Sequence, residues 1–325
     1  MKRKLLELLV CPICKGSLTA SSETDPLVEG ELGCTECGRS VPVINGIPRF
    51  VEDDNYASSF GYQWNLFRKE QIDTFNGTTL SADRFWSETD WTEEQMSGKW
   101  VLDAGCGAGR FLDIASRTKG EIVGVDLSNA IDAAKENLAD RENVHFVQAS
   151  IYELPFQDGS FDYCYSIGVI QHTPDRERAL RSLAAKVKAG GQLAVTIYPR
   201  KPWTRLYSKY WLRPVTKRMK KETLLGLIRG AMPVVFPVTD VLFRVPVLKK
   251  LFMFAIPVAN YVHEKQLTRE QRYNWAILDT FDMLSPQFDR PMSEDEARRP
   301  LEESGLVVRR TFDHGLCLAG ERTTE

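Results

Sequence analysis

Between residues 100 and 198, short apolar runs alternate with stretches of helical periodicity. Residues 100–103 form an apolar run ending in Asp103, and a glycine-rich turn then leads into a helical pattern over 111–117. Residues 122–126 are a second apolar run, ending in Asp126, and Ser128 is placed to cap a helix reaching about Leu138. A third strand is predicted over 144–148, a loop over 154–162 and a fourth strand over 163–170. A helix over 175–188, stopped by Ala189-Gly190-Gly191, leads to a fifth strand over 192–198. This rhythm predicts an α/β Rossmann-like fold, with parallel strands joined by crossover helices.

The rhythm breaks after Tyr198. Pro202 is placed to start a helix with Trp203, Leu206, Tyr207, Tyr210 and Trp211 on one face and Arg205, Lys209 and Arg213 on another, ending at Pro214. Beyond it lie apolar runs over 231–238, 241–248 and 251–262, broken by prolines, so none is expected to reach membrane-spanning length. Ser293 and Glu296 have capping-box spacing for a last helix that Pro300 should shorten or kink; 307–312 and 316–319 read as the final strands. The division expected is a front segment to residue 52, a helical linker or lid over 53–98, the core over 99–199, a helical cap insertion over 200–284, and a last helix with the last strands over 285–325.

Composition narrows the class. The 325 residues are 43% hydrophobic and 26% charged, as in ordinary soluble globular proteins, and a net charge of −2 excludes a surface built wholly for nucleic acid. Lys2, Arg3 and Lys4 precede an apolar run over 5–10 that is too short for a signal segment and carries Glu7. The expectation is an intracellular, cytoplasmic protein whose seven cysteines are thiols or metal ligands.

Four of those cysteines have metal spacing. Cys11-Pro-Ile-Cys14 and Cys34-Thr-Glu-Cys37 are two CxxC pairs nineteen residues apart, which suits a structural zinc held by four thiolates with no open position for chemistry. Gly16 and Gly38 follow at the places where a knuckle turn favours glycine. With the PVINGIPRF stretch over 42–50, this front segment resembles the small zinc-ribbon proteins that activate certain transfer-RNA and protein methyltransferases. The resemblance implies a ribbon over 1–52 whose partner is the rest of the same chain.

The turn after Asp103 reads Gly105-Cys106-Gly107-Ala108-Gly109-Arg110. A dinucleotide fingerprint wants Gly or Ala where Arg110 stands, and a carboxylate before the loop suits a cationic ligand better than a pyrophosphate. DAGCGAGRF, GVDLS, LPFQDGSFD, IGVIQHTPD and KAGGQLAVTIY occur in order over 99–199, and together they resemble a class I methyltransferase that uses S-adenosylmethionine (SAM). The resemblance implies a seven-stranded core, with Asp103, Gly105, Cys106, Gly107 and Gly109 around the methionine moiety and Asp126 on the ribose. Leu127 and Ile151 then flank the adenine. Such enzymes often place Asp or Glu where Ser150 stands, so Ser150 or the backbone is left to meet the adenine amino group.

A sulfonium methyl is already activated, so alignment supplies much of the catalysis, and a base is needed only where the acceptor must lose a proton. His172, after the fourth strand, is the candidate base. Tyr198 ends the fifth strand at the same edge. Tyr62, Trp64 and Asp282 lie in stretches that resemble bacterial methyltransferases pairing a ribbon with this core, and are expected on the substrate side. The cap insertion is open to three readings: a plain lid, a peripheral membrane contact over 200–262 for a lipid or lipid-linked acceptor, or an RNA-binding surface. The expected reaction is O- or C-methylation of a small-molecule or lipid-linked acceptor. An RNA methyltransferase and a non-enzymatic partner subunit are the alternatives.

Overall fold

Two sheets carry the chain in the computed structural model, which describes residues 1–51, 55–312 and 315–324. The expected ribbon–linker boundary at 52–53 lies outside the described residues. After a short helix α1 (Arg3–Leu6), strands β1 (Leu18–Ala20), β2 (Gly30–Cys34), β3 (Ser40–Ile44) and β4 (Ile47–Pro48) form the small sheet, each antiparallel to the next. Burial alternates along β3, with Val41 and Val43 inward, the period of a sheet covered on one face.

Helices α2 (Ser58–Leu66), α3 (Asp73–Asn76), α4 (Leu80–Thr89) and α5 (Glu93–Met96) lead to the large sheet. There β5 (Trp100–Ala104), α6 (Arg110–Ala115), β6 (Glu121–Asp126), α7 (Ala130–Asn137) and β7 (Val144–Gln148) are followed by β8 (Phe161–Ile167), α8 (Arg176–Lys186) and β9 (Val187–Ile197). The cap insertion holds α9 (Ser208–Thr216), α10 (Lys221–Leu242), α11 (Lys249–Ala255) and α12 (Arg269–Leu284); α13 (Glu294–Glu302), β10 (Leu306–Phe312) and β11 (Leu316–Arg322) complete the sheet. Strand order is β10-β11-β9-β8-β5-β6-β7, and β11 runs antiparallel to both neighbours. This is the doubly wound α/β fold expected. The order reverses between β5 and β8, and at such a switch point the crevice outside the carboxyl ends of the strands is where ligands bind.

The ribbon closes the exposed edge of this sheet. Phe50 N–H donates to the Gln148 carbonyl at 2.8 Å, Val10 N–H donates to the Pro155 carbonyl at 2.9 Å, and Arg49 pairs with Gln148 as a parallel bridge. An unpaired edge would invite strand addition, so this contact protects β7 as well as fixing the ribbon. Leu5, Leu9, Val43 and Phe50 are buried in one cluster with Val147, Ala149 and Phe156, each worth roughly 1.5–3 kcal/mol of transfer free energy.

The structure departs from the sequence expectations in four places. Ala189-Gly190-Gly191 lies inside β9 and does not stop a helix: pairing shifts register between Phe161 and Tyr163, and Gly190 takes φ +72° at the bulge. The helix expected from Pro202 is interrupted at Tyr207, whose extended ψ of 132° separates a short 3-10 turn over Thr204–Leu206 from α9. Pro214 stands inside α9 and Pro300 inside α13, while Ser293 and Glu296 form the capping box as expected. Finally, Pro233 and Pro237 do not break the apolar runs. Leu224, Leu225, Ile228, Met232 and Phe236 keep an i+3/i+4 stripe across them and pack against Ala276, Ile277 and Phe281, which holds α10 together despite the lost hydrogen bonds. By length and composition alone α10 could cross a membrane, contrary to expectation, although its inner stripe is committed to the cap core.

Candidate active site

At the carboxyl end of β5 the chain turns through Gly105 (φ +90°) and Gly107 (φ +54°). A Cβ on Gly105 would stand 2.5 Å from the Val169 side chain, so this turn requires glycine on grounds of both conformation and space. Beneath the turn Asp103 is buried, facing the Tyr165 hydroxyl, and its Oδ2 has no close hydrogen-bond partner among the described residues. Burial holds its carboxyl well above the usual range. Asp126, at the tip of β6, is better supported. Its Oδ2 accepts from Gly107 N–H at 2.9 Å and its Oδ1 from Ser128 N–H and Oγ at 2.8 and 2.7 Å. Burial still raises its pKa, against those three bonds.

Above the turn lies a cavity of about 430 Å³. Gly105, Gly107, Asp126, Leu127 and Ile151 line its sheet side; Phe60, Trp64, Lys209, Asp279 and Asp282 line its outer wall. Glycine backbone and the Asp126 carboxylate at the cavity wall, with the Asp103 carboxyl beneath the turn, suit a ligand that brings hydroxyls and a positive charge; SAM brings a ribose, an ammonium and a sulfonium, and the residues present fit it.

His172 ends a 3-10 turn after β8. Its Nδ1 is 2.9 Å from the Phe288 carbonyl, which can only accept, so Nδ1 carries a proton and in the neutral ring the lone pair stands on Nε2. The ring sits between Phe60 and Tyr198, 5.0 and 5.6 Å from their centroids. Asp279 and Asp282 project from one face of α12 into the same cavity. Asp279 accepts from Gln71 Nε2 at 3.0 Å and from the Tyr261 hydroxyl, and Arg110 donates to Gln71 Oε1 at 2.8 Å. Burial first, then the neighbouring Asp282 charge, pushes Asp279 up to about 7, with Arg110 opposing. Burial also raises Asp282, opposed by His172 and by a 3.3 Å hydrogen bond from Gln63.

At the far end of the chain, all four ribbon sulfurs lie within 4.8 Å of one another, with Cys11–Cys37 at 3.7 Å and Cys14–Cys34 at 3.4 Å. A tetrahedron with Zn–S near ~2.3 Å has edges of about 3.8 Å, so the four cysteines fit a closed structural zinc site.

Three comparisons bear on these two sites. The family model described as "Methyltransferase domain" matches residues 102–195, and the one described as "Trm112p-like protein" matches 2–46. A Staphylococcus aureus demethylmenaquinone methyltransferase is 36% identical over 168 residues, which cover 45% of this chain and 69% of that protein. The chain belongs to the SAM-dependent methyltransferases. The ubiquinone/menaquinone biosynthesis C-methyltransferase UbiE of Vibrio cholerae is 35% identical over 124 residues, 35% of this chain, which spans about half (47%) of that relative's length. Among solved structures, one from a complex containing the Haloferax volcanii Trm112 methyltransferase activator aligns with TM-score 0.44 and 16% identity, covering 84% of this chain and 99% of that one.

Within this methyltransferase, Gly105, Cys106, Gly107, Asp126, Leu127, Ile151, His172, Trp64, Tyr198 and Asp282, named from the sequence as cofactor-side, substrate-side or catalytic candidates, all reach the cavity wall. Four residues do not. Asp103 lies beneath the turn and Gly109, at φ +93°, precedes α6. The Ser150 hydroxyl is turned to Tyr152 N–H at 3.2 Å, and Tyr62 packs on Phe281. Gln71, Tyr261 and Asp279 face the cavity without having been singled out, although the three-residue spacing of Asp279 and Asp282 was a readable signal. Lys209, placed by the sequence on a basic face of the cap helix, pairs with Asp289 at 2.7 Å and lines the cavity. Arg213 is likewise buried, donating to the Met283 and Pro286 carbonyls.

Proposed function

We propose that this methyltransferase moves the SAM methyl group to an oxygen or carbon of a small or lipid-linked acceptor held between the glycine turn and α12. When bound, SAM supplies an activated methyl and departs as S-adenosylhomocysteine. Asp103 stays beneath the turn, under the α-ammonium site, and Asp126, which lines the cavity, accepts from the ribose while its own bonds hold the turn. Leu127 and Ile151 pack on the adenine, and the backbone meets the adenine amino group, because the Ser150 hydroxyl is turned away. The acceptor lies on the side of Trp64, Tyr198 and Asp282. Where it carries a proton, His172 Nε2 takes it, with Nδ1–H anchored on Phe288.

In this reading the ribbon (1–52) braces the core (99–199 with 285–325), and the linker (53–98) and cap insertion (200–284) wall the acceptor from water. The Asp126 carboxylate at the cavity wall, bonded to a turn that requires glycine, carries the cofactor half of the proposal. The names of the two bacterial quinone methyltransferases support an apolar acceptor. The inward turn of Lys209 and Arg213 takes support from RNA.

The test is transfer of labelled methyl from SAM into fractions of a bacterial extract. Label should enter the lipid-soluble or small-molecule fraction, and His172→Ala should lower kcat roughly 10²- to 10⁴-fold for a hydroxyl acceptor with SAM affinity unchanged. Label in RNA, or none at all with SAM bound, contradicts the proposal.

A further inference from the structure

The cap insertion has a second apolar face that stands exposed among the described residues. On α10, Leu227, Val234, Val238 and Val241 are exposed and recur at spacings of seven, four and three, which places them along one stripe. At 100° per residue this stripe lies on the far side from the one packed on α12, so α10 is apolar on two faces. On α9, Trp211 (68% exposed) and Val215 stand one turn apart on the surface, while Arg213 between them is buried. Val247 is 87% exposed, Leu251 and Met253 are exposed on α11, and no residue of α11 is buried. Tyr207 and Phe254, with centroids 4.5 Å apart, join the start of α9 to α11, so the patches adjoin. A monomer does not ordinarily expose so many large apolar side chains together.

Charge selects the occupant. Residues 200–262 carry thirteen Lys or Arg against two acids, a surplus of eleven in a chain of net charge −2. Lys201, Arg205, Lys217, Lys220 and Lys250 are exposed beside these apolar and aromatic side chains. Nucleic acid would call for a basic groove with aromatics for stacking, whereas the exposed face is dominated by Val, Leu and Met. We infer that this face of the cap insertion docks on an anionic lipid bilayer, its apolar side chains entering the headgroup boundary with the lysines and arginines against the lipid charge. The same insertion lines the active-site cavity through Lys209, Ala259 and Tyr261, so docking places the acceptor entrance at the bilayer. The docking surface stands on its own; only what would be delivered through it rests on the proposed methyl transfer.

The experiment is flotation of the full chain with vesicles of phosphatidylcholine alone and with about one third phosphatidylglycerol. Binding is expected to the phosphatidylglycerol vesicles, with at least tenfold preference over phosphatidylcholine and weakening as salt rises. Because Trp211, Val215, Val247 and Leu251 are exposed, replacing all four by Ser should abolish flotation yet leave SAM binding by calorimetry unchanged. Lys249→Ala with Lys250→Ala should lower the partition about 30-fold, roughly fivefold per cation. Equal binding of the four-Ser variant overturns the inference, as does absence of binding to either vesicle by protein that binds SAM. Displacement from vesicles by RNA, or a stable dimer that the four-Ser variant dissolves, overturns it too. Loss of SAM binding in the parent chain would instead strike the methyltransferase reading.

Discussion

Arg49→Met cuts the polar link between ribbon and core without opening a large cavity. Arg49 lies at the end of the ribbon sheet, and its guanidinium reaches Asp132 on α7 at 2.6 and 3.3 Å and Gln148 Oε1 on β7 at 2.8 Å. The hydrogen bond to Gln148 is charge-assisted and buried at the acceptor, worth about 1.5–3 kcal/mol. Asp132 is about one third exposed, so its share is discounted toward ~1 kcal/mol. Against these stands the buried Arg49 Nε, which has no partner among the described residues and costs about 1 kcal/mol or more. The net expectation is a loss of about 2 kcal/mol. For a chain of 325 residues the unfolding entropy makes that about 3 °C in Tm. Calorimetric scans of zinc-loaded protein should show this loss for Arg49→Met, a smaller one for Asp132→Asn, and a double variant well short of additive. A double variant with strictly additive losses, or Arg49→Met within 1 °C of the parent, would refute the idea that this residue couples ribbon and core.

Two further outcomes follow from the chemistry of single groups. Burial pushes the folded Asp279 carboxyl up to about 7, above the ordinary carboxylate range, so between that range and 7 the folded state binds the extra proton and stability falls as pH rises. Asp279→Asn should remove that slope, worth at most roughly 4 kcal/mol across the window, and urea midpoints at pH 5 and 8 that fall equally in both proteins contradict it. Replacing Cys14 and Cys37 by Ser should lower bound zinc from one per chain to none in metal analysis, and should reduce Tm, since the ribbon core is continuous with the sheet. Retention of stoichiometric zinc would mean other ligands hold it.

The fold of the core was legible because its signals are local. Apolar runs ending in Asp103 and Asp126, and glycines at positions that need positive φ, fix the β5–α6–β6 unit within thirty residues. The two CxxC pairs are equally local. What escaped is what depends on distant packing. Pro233 and Pro237 read as breakers, since nothing nearby reveals that α12, some forty residues on, supports an unbroken α10. The inward turn of Lys209 and Arg213 is not legible locally, because Asp289 and the carbonyls of Met283 and Pro286, which take them up, lie seventy to eighty residues away. Of the two groups left to meet the adenine amino group, Ser150 or the backbone, the Ser150 hydroxyl accepts a local bond from Tyr152 N–H two residues on. The Gln71–Asp279–Tyr261 network joins three segments far apart in sequence, and only the helical spacing of Asp279 and Asp282 hinted at it.

The most direct test of the central claim is a paired calorimetric titration of the zinc-loaded protein with SAM and with NADH. The account predicts micromolar binding of SAM, none of NADH, and at least tenfold weaker SAM binding for Asp126→Ala, which loses the Gly107 and Ser128 bonds that set the turn. No SAM binding by folded protein, or binding indifferent to Asp126→Ala, would contradict it and leave a methyltransferase scaffold serving as a partner subunit.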